Sequence, residues 1–251
     1  MDYEILSSIK FNALKNTDWQ SDSELKIILN NTSRSLMAKL NQFNLKIDDV
    51  TKSVRGILAD KDDYSEKQKT GQEPVFVGKL DRYYIEENKF QFINYGENLK
   101  EKPSSFDYFT GERILIRRIV NRQFRIMASL TKDKFVTKKD IYTFKVTNNN
   151  YPSHLLLAII NSKLISYIKT KGSASAKKDD FTQLTLNDIR QIHIPTVGKD
   201  DLERIKIMVN ELLSLKKIDN ENTEKIESEL DAVVYNLYQL SKDEIKIIEA
   251  N

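Results

Sequence analysis

The hydrophobic pattern divides the chain into stretches of different period. In SELKIILNNTSRSLMAKLNQF (residues 23–43), Leu25, Ile28 and Leu29, then Leu36 and Leu40, recur at helical spacing, with a weak polar middle at 30–33. Residues 51–80 carry Gly56, Gly71, Pro74 and Gly78 and an almost entirely polar run at 60–69, which predicts a loop-rich passage. From about 75 to 146 the pattern shortens to the β-type runs VFVG, FQFIN, RILIRRIV, FRIMASL and DIYTFKV, separated by Asn94, Gly96, Pro103, Gly111 and Asn121. Ile114, Leu115 and Ile116 are apolar without alternation, as in a strand covered on both faces. A curved, mixed or antiparallel sheet is expected.

A helix should follow, opened by Pro152 and Ser153, carrying Leu155, Leu156, Ile159, Ile160, Leu164 and Tyr167, and ended by Gly172. The loop KTKGSASAKKDDF comes next. Leu202, Ile205, Val209 and Leu212, then Ile226, Leu230, Val233 and Leu237, form two stripes with alternating spacings of three and four. These suffice for a helix hairpin but not for a long coiled coil. Packing on the chain's own core is the favoured reading, and docking onto a partner is the alternative. Ser241 and Glu244 form a capping-box signature for a last short helix. The fold class is therefore α+β: a β-rich domain with packed helices, followed by a C-terminal helical hairpin.

Charge divides the chain in the same way. The 251 residues carry a net charge of +3. Residues 78–180 hold 20 Lys/Arg against 11 Asp/Glu, a net of +9, whereas residues 199–251 hold 8 against 13, a net of −5. A polyanionic partner for the middle follows. Five of the ten arginines lie within 113–125: Arg113, Arg117, Arg118, Arg122 and Arg125. Arginine suits bidentate contact with phosphates and guanine edges, so this local change from Lys to Arg points to DNA. Ordinary surface ion pairs are the competing explanation. The basic loop after the helix reads either as a surface excursion or as an arm that contacts phosphates.

Signals for catalysis are sparse. Cysteine is absent, which excludes a disulfide framework and thiolate metal sites and fits a cytoplasmic location. The opening MDYEILSSIKFN lacks the pattern of a signal peptide, and the longest apolar stretch, 155–160, is too short to span a bilayer. His154 and His193 stand far apart, which argues against a His-built metal site. No G-x-S-x-G elbow, G-x-G fingerprint, P-loop or Asn-Pro-Pro-aromatic motif occurs. Glu-x-Lys triplets occur at Glu24, Glu87 and Glu244, and only Glu87 with Lys89 falls in the β-rich block, with Asp81 upstream. A metal-dependent nuclease centre there is the enzymatic alternative.

Several segments together carry a resemblance: GERILIRRI, KDKFVTKKDIYTF, LLLAIINSKLISYI, DDFTQLTLNDIRQIHIP and ESELDAVVYNLYQLSKDEIKIIE. Across about residues 50–250 they resemble the TaqI-like C-terminal specificity domain of bacterial adenine-specific DNA methyltransferases, found in fused restriction–modification enzymes. The target-recognition domains of specificity subunits are more distant kin. The Trp19 region and VTKSVRGI look like the connection that follows the catalytic domain in such enzymes. This chain departs from the family by Leu58-Ala59 where a Thr-Gly pair often follows Gly-Ile, and by lacking the catalytic domain itself.

The resemblance implies a connector at 1–50, a target-recognition domain at 51–198 and a C-terminal helical region at 199–251. It implies a non-catalytic module that reads double-stranded DNA, while a methyltransferase or restriction catalytic domain or subunit holds S-adenosylmethionine and flips the adenine. This chain would itself hold no cofactor. Arg113, Arg117, Arg118, Arg122 and Arg125 are the expected contacts to bases and phosphates, with Asn121 and Gln123 suited to adenine edges. Lys169, Lys171, Lys177 and Lys178 would grip the backbone. A protein-interaction module acting through the acidic helices is the third possibility.

Overall fold

A computed structural model describes residues 31–120, 123–170, 183–218 and 223–250. Helix α1 (Asn31–Leu40) leads through β1 (Leu45–Lys46) and the single turn α2 (Ile47–Val50) into β2 (Thr51–Arg55). Then come β3 (Tyr64–Ser65), β4 (Glu73–Phe76), β5 (Leu80–Asp81), β6 (Tyr84–Ile85), β7 (Phe90–Ile93), β8 (Arg113–Arg117), β9 (Ala128–Thr131) and β10 (Ile141–Val146). Helices α3 (Ser153–Asn161), α4 (Lys163–Thr170) and α5 (Leu186–Arg190) precede β11 (His193–Ile194). Three helices close the chain: α6 (Lys199–Lys217), α7 (Thr223–Leu237) and α8 (Lys242–Glu249).

The expected strands are present, and the principal sheet has the order β2-β10-β8-β9 with every ladder antiparallel. Ile114, Leu115 and Ile116 on β8 are fully buried, and they alternate between two cores. Ile114 and Ile116 join the large cluster formed with the helices, while Leu115 packs with Phe76, Leu80, Phe135 and Ile141 on the other face. Each such side chain contributes roughly 2 kcal/mol by leaving water. A second small sheet, β3-β7-β4, adds the cluster Ile57, Val75, Ile93, Leu99, Phe109 and Val136.

Strand β2 falls in the passage expected to be loop-rich. It pairs with β10 along its whole length, from Thr51 opposite Val146 to Arg55 opposite Tyr142. The loop reading failed because Thr51 and Ser53 are buried by packing partners that local polarity does not reveal. Beyond β2 the chain crosses the backbone at 137–138, with Gly56 N–H donating to the Ile141 carbonyl and Ile57 N–H to that of Thr137.

The single helix expected from Pro152 onward is two helices broken at Ser162. Ser162 is extended (ψ 151°), and its hydroxyl donates to the Ile159 carbonyl at 2.7 Å while accepting from Ile165 N–H at 3.2 Å. It thus closes α3 and caps α4. The break lets buried Asn161 reach the open edge of β9, where its amide accepts from Ala128 N–H and donates to the Ala128 carbonyl, both at 2.9 Å. Ser166 on α4 accepts from Ile126 N–H at 3.1 Å. Gly172 lies outside the described residues.

The C-terminal stripes pack inward as favoured. Ile205, Val209 and Leu212 of α6, with Leu230 and Val233 of α7, belong to the same core as Leu36, Leu40, Ile47 and Val50. Ser241 caps α8 through the expected capping box with Glu244. Among the described residues, no helix is long and apolar enough to cross a membrane.

At Gly56 an added Cβ would stand 2.2 Å from the Lys138 carbonyl oxygen and 2.3 Å from that of Thr137. Two backbones would have to separate, so Gly56→Ala should lower stability by about 2–4 kcal/mol in denaturant unfolding. An unchanged midpoint would contradict this crossing.

Candidate nucleic-acid interface

The clustered arginines share a segment but not an environment. Arg113, at the start of β8, is fully buried. Its guanidinium lies 4.7 Å from the Phe135 ring centroid and donates to the carbonyls of Gly111 (3.0 Å) and Phe135 (3.3 Å). Burial pulls its pKa down to about 10, opposed by Asp133. The expectation that Arg113 contacts DNA is thereby corrected: no path leads from this side chain to a duplex.

Arg125 also turns inward. It donates to the Asn161 carbonyl at 2.8 Å and stands 3.8 Å from Asp231. Burial, then the neighbouring Arg82, lowers its pKa, with Asp231 and Glu227 opposing. Arg82 in turn pairs with Glu227 at 2.9 Å, and Lys216 reaches the same carboxylate at 2.7 Å. This ionic mesh fastens α6 and α7 to the segment 82–125.

Arg117 and Arg118 differ. Both are half-exposed at the end of β8, and among the described residues neither has a carboxylate within ion-pair distance. Arg117 donates to Met127 Sδ at 3.7 Å, and Arg118 to Gln183 Oε1 at 2.8 Å. Arg118 is also gripped through its backbone, its N–H donating to the Asp140 carbonyl and its carbonyl accepting from Leu184 N–H. Next to it, Ile119 bridges Gln183. On the returning side, the Thr170 hydroxyl donates to the Ser166 carbonyl at 2.7 Å and stands 3.5 Å from the Phe124 carbonyl. Arg118 and Ile119, before residues 121–122, are therefore anchored to Gln183 and Leu184, and Phe124, after them, lies beside Thr170.

Gln123 is exposed on this turn, and Lys169 is half-buried at the end of α4; both have partners within the fold. Asn121, Arg122, Lys171, Lys177 and Lys178 lie outside the described residues. The sequence reading passed over Arg55. Its Nε donates to the Lys139 carbonyl at 3.0 Å, and its one acidic contact, Glu101 at 3.5 Å, is exposed and therefore weak. Burial raises the pKa of Tyr142, and the positive charges of Arg118 and Arg55 oppose that shift. Arg55 was discoverable only through the pairing of β2 with β10, which places it opposite Tyr142.

The residues considered for a nuclease do not converge. Glu87 pairs with Lys217 at 2.6 Å, Lys89 with Glu86 at 3.8 Å and Asp81 with Lys79 at 3.2 Å. Among the described residues, no three His, Asp or Glu side chains stand together as a metal site would require. His154 faces Asn210, and His193 contacts the Phe43 carbonyl.

Residues 73–194 match the TaqI-like C-terminal specificity domain family. Over 230 residues, 86% of this chain, the sequence is 36% identical to a Methanocaldococcus jannaschii protein that bears the name of a type II restriction enzyme and methyltransferase. The chain spans 18% of that relative's length. Among solved structures, the type IIL restriction–modification enzyme MmeI in complex with DNA aligns over 81% of this chain and 35% of its own, with a TM-score of 0.53 at 9% identity. The HsdS subunit from Thermoanaerobacter tengcongensis aligns over 83% of this chain and 51% of its own, with a TM-score of 0.44 at 13% identity.

These environments separate two kinds of arginine experimentally. Arg113→Met and Arg125→Met should each lower the thermal midpoint, by about 2 kcal/mol or more of stability, because buried carbonyls lose their donors. Arg117→Ala and Arg118→Ala should cost less than about 1 kcal/mol. Equal losses in a melting series would erase the distinction.

Asp231 supplies a pH test of the mesh. Burial raises its carboxyl to about 6, with Arg125 and Lys163 opposing. The folded state therefore takes up this proton more readily than the unfolded chain, and the group's contribution to stability rises as pH falls from about 7 to about 4. Measured by denaturant midpoints, the difference between wild type and Asp231→Asn should shift toward the wild type over that range.

Proposed function

We propose, from the match of residues 73–194 to the TaqI-like C-terminal specificity domain family, that the protein recognises double-stranded DNA by sequence as the specificity module of a restriction–modification adenine methyltransferase. The observation that carries this reading is the pair Arg117 and Arg118, charged, half-exposed and without acidic partners among the described residues. They stand beside Ile119, whose bridge to Gln183 ties the end of β8 to the residues that follow the lysine-rich stretch 171–182. Arg55, paired in register with Tyr142 of β10, joins them in this reading.

In this reading Arg117, Arg118 and Arg122 hold the duplex, Asn121 and Gln123 read base edges from the turn, and Lys169, Lys171, Lys177 and Lys178 serve the phosphates. The chain makes and breaks no covalent bond. A methyltransferase or restriction catalytic domain, with its S-adenosylmethionine, is the partner, and the cytoplasm, where DNA resides, is the place of action. Helix α7 is tied to Arg82 and Arg125 through Glu227 and Asp231.

Binding to a mixed-sequence duplex should weaken steeply with salt, by a factor of about 10³ between about 50 and 200 mM if some six phosphates are contacted. Arg117→Ala with Arg118→Ala should reduce the slope of log affinity against log salt by about 2 while leaving the fold intact. Absence of binding at low ionic strength would defeat the proposal, and selection from a randomised duplex pool would reveal the recognised sequence.

A further inference from the structure

We infer that Phe124 is a wedge: its ring inserts at a deformable base step of the bound duplex and makes the step's flexibility part of what is read. The inference rests on the DNA-binding reading above and adds to it an apolar contact that charge does not supply.

Four large apolar side chains are exposed among the described residues: Val77, Phe124, Ile207 and Ile218. Phe124 is the aromatic one, 41% exposed, and it stands on the arginine-bearing turn. Its backbone is left-handed, with φ +55°. A bulky aromatic residue rarely adopts that conformation, which glycine or asparagine would fill with less strain. The turn nevertheless presents a phenyl ring there.

The support beneath the ring is stiff. Arg125 donates to the Asn161 carbonyl and Ile126 N–H donates to the Ser166 hydroxyl, while the Thr170 hydroxyl, which donates to the Ser166 carbonyl at 2.7 Å, stands 3.5 Å from the Phe124 carbonyl. A wedge needs such backing, because unstacking a base step costs energy that a yielding loop would absorb. Arg117 and Arg118 precede the ring by seven and six residues at the end of β8, and the proposal has the ring and these cations engage one duplex together. Insertion of apolar side chains at flexible base steps gives selectivity without base-edge hydrogen bonds.

The test uses the full chain and two mixed-sequence duplexes that differ only by one central mismatch. Wild type should favour the mismatched duplex, whose step unstacks readily. Phe124→Ala should lose that preference by roughly tenfold, the scale of one aromatic stacking contact, with an unchanged salt slope. Phe124→Trp should retain it, and its emission should be quenched on saturation beyond any change that Trp19 produces in the wild type. Phe124→Gly serves as the control for folding: its thermal midpoint should equal or exceed that of the wild type, since glycine relieves the left-handed strain.

Three results would overturn the inference alone: identical affinities and duplex ratios for wild type and Phe124→Ala, emission of the Phe124→Trp variant that is indifferent to DNA, or a lowered midpoint for Phe124→Gly. If the wild type binds neither duplex, the inference falls together with the reading on which it rests.

Discussion

Strand β8 is the wall on which the rest of the molecule depends. A strand that buries three consecutive apolar residues must have a core on each side, and Ile114 and Ile116 face one while Leu115 faces the other. β10 and β9 flank β8, and the helices and the smaller sheet cover its two faces. Depth along this wall also sets the fate of its arginines. Arg113 shares the Leu115 face, where Phe135 covers it, whereas Arg117 and Arg118 leave the wall at the other end as its cover runs out. One strand thus turns one arginine into a packing element and delivers two others to the surface.

The second constraint is the free edge of β9. An uncovered edge offers unpaired backbone groups, and here helices cover it with side-chain amide and hydroxyl groups. Asn161 satisfies both backbone groups of Ala128, and Ser166 satisfies Ile126 N–H. A straight helix could not present both, and the break at Ser162 resolves the conflict. The same break points the N-terminus of α4 at Asp231, whose carboxylate accepts from Lys163 N–H at 2.8 Å. Lys163 also pairs with Glu249 of α8. The C-terminal helices are thereby tied to the junction that supports the turn.

This division explains what the sequence could and could not disclose. Strands β4, β7, β8, β9 and β10 were legible because their apolar runs need two faces or a clear alternation. The stripes of α6 and α7 were legible because burial repeats at helical spacing. Strand β2 was not, since Thr51 and Ser53 are polar residues buried by partners far along the chain. The break at Ser162 was not, since the apolar period runs through it without a proline or glycine. The arginine cluster was visible as composition, but Arg113 and Arg117 look alike in a sequence and differ only in what the sheet places over them.

Net charge alone would misplace the interface. A groove of about 1030 Å³ lies between the smaller sheet and α6. Lys132, Lys134 and Lys217 line it, and each is matched: Lys132 with Glu112 at 3.4 Å, Lys134 with Glu73 at 2.8 Å, Lys217 with Glu87 at 2.6 Å. A polyanion approaching it would have to displace carboxylates to gain each cation, and the net gain from that exchange is small. At the end of β8 no such exchange is needed, because no carboxylate pairs with Arg117 or Arg118 among the described residues. Much of the positive charge of the middle segment is thus matched within the protein, whereas Arg117, Arg118, Lys139 and Lys145 have no carboxylate partner among the described residues. Under the proposed reading, this favours the end of β8 over the groove beside α6, and the preference follows from the pairing of charges, not from their number.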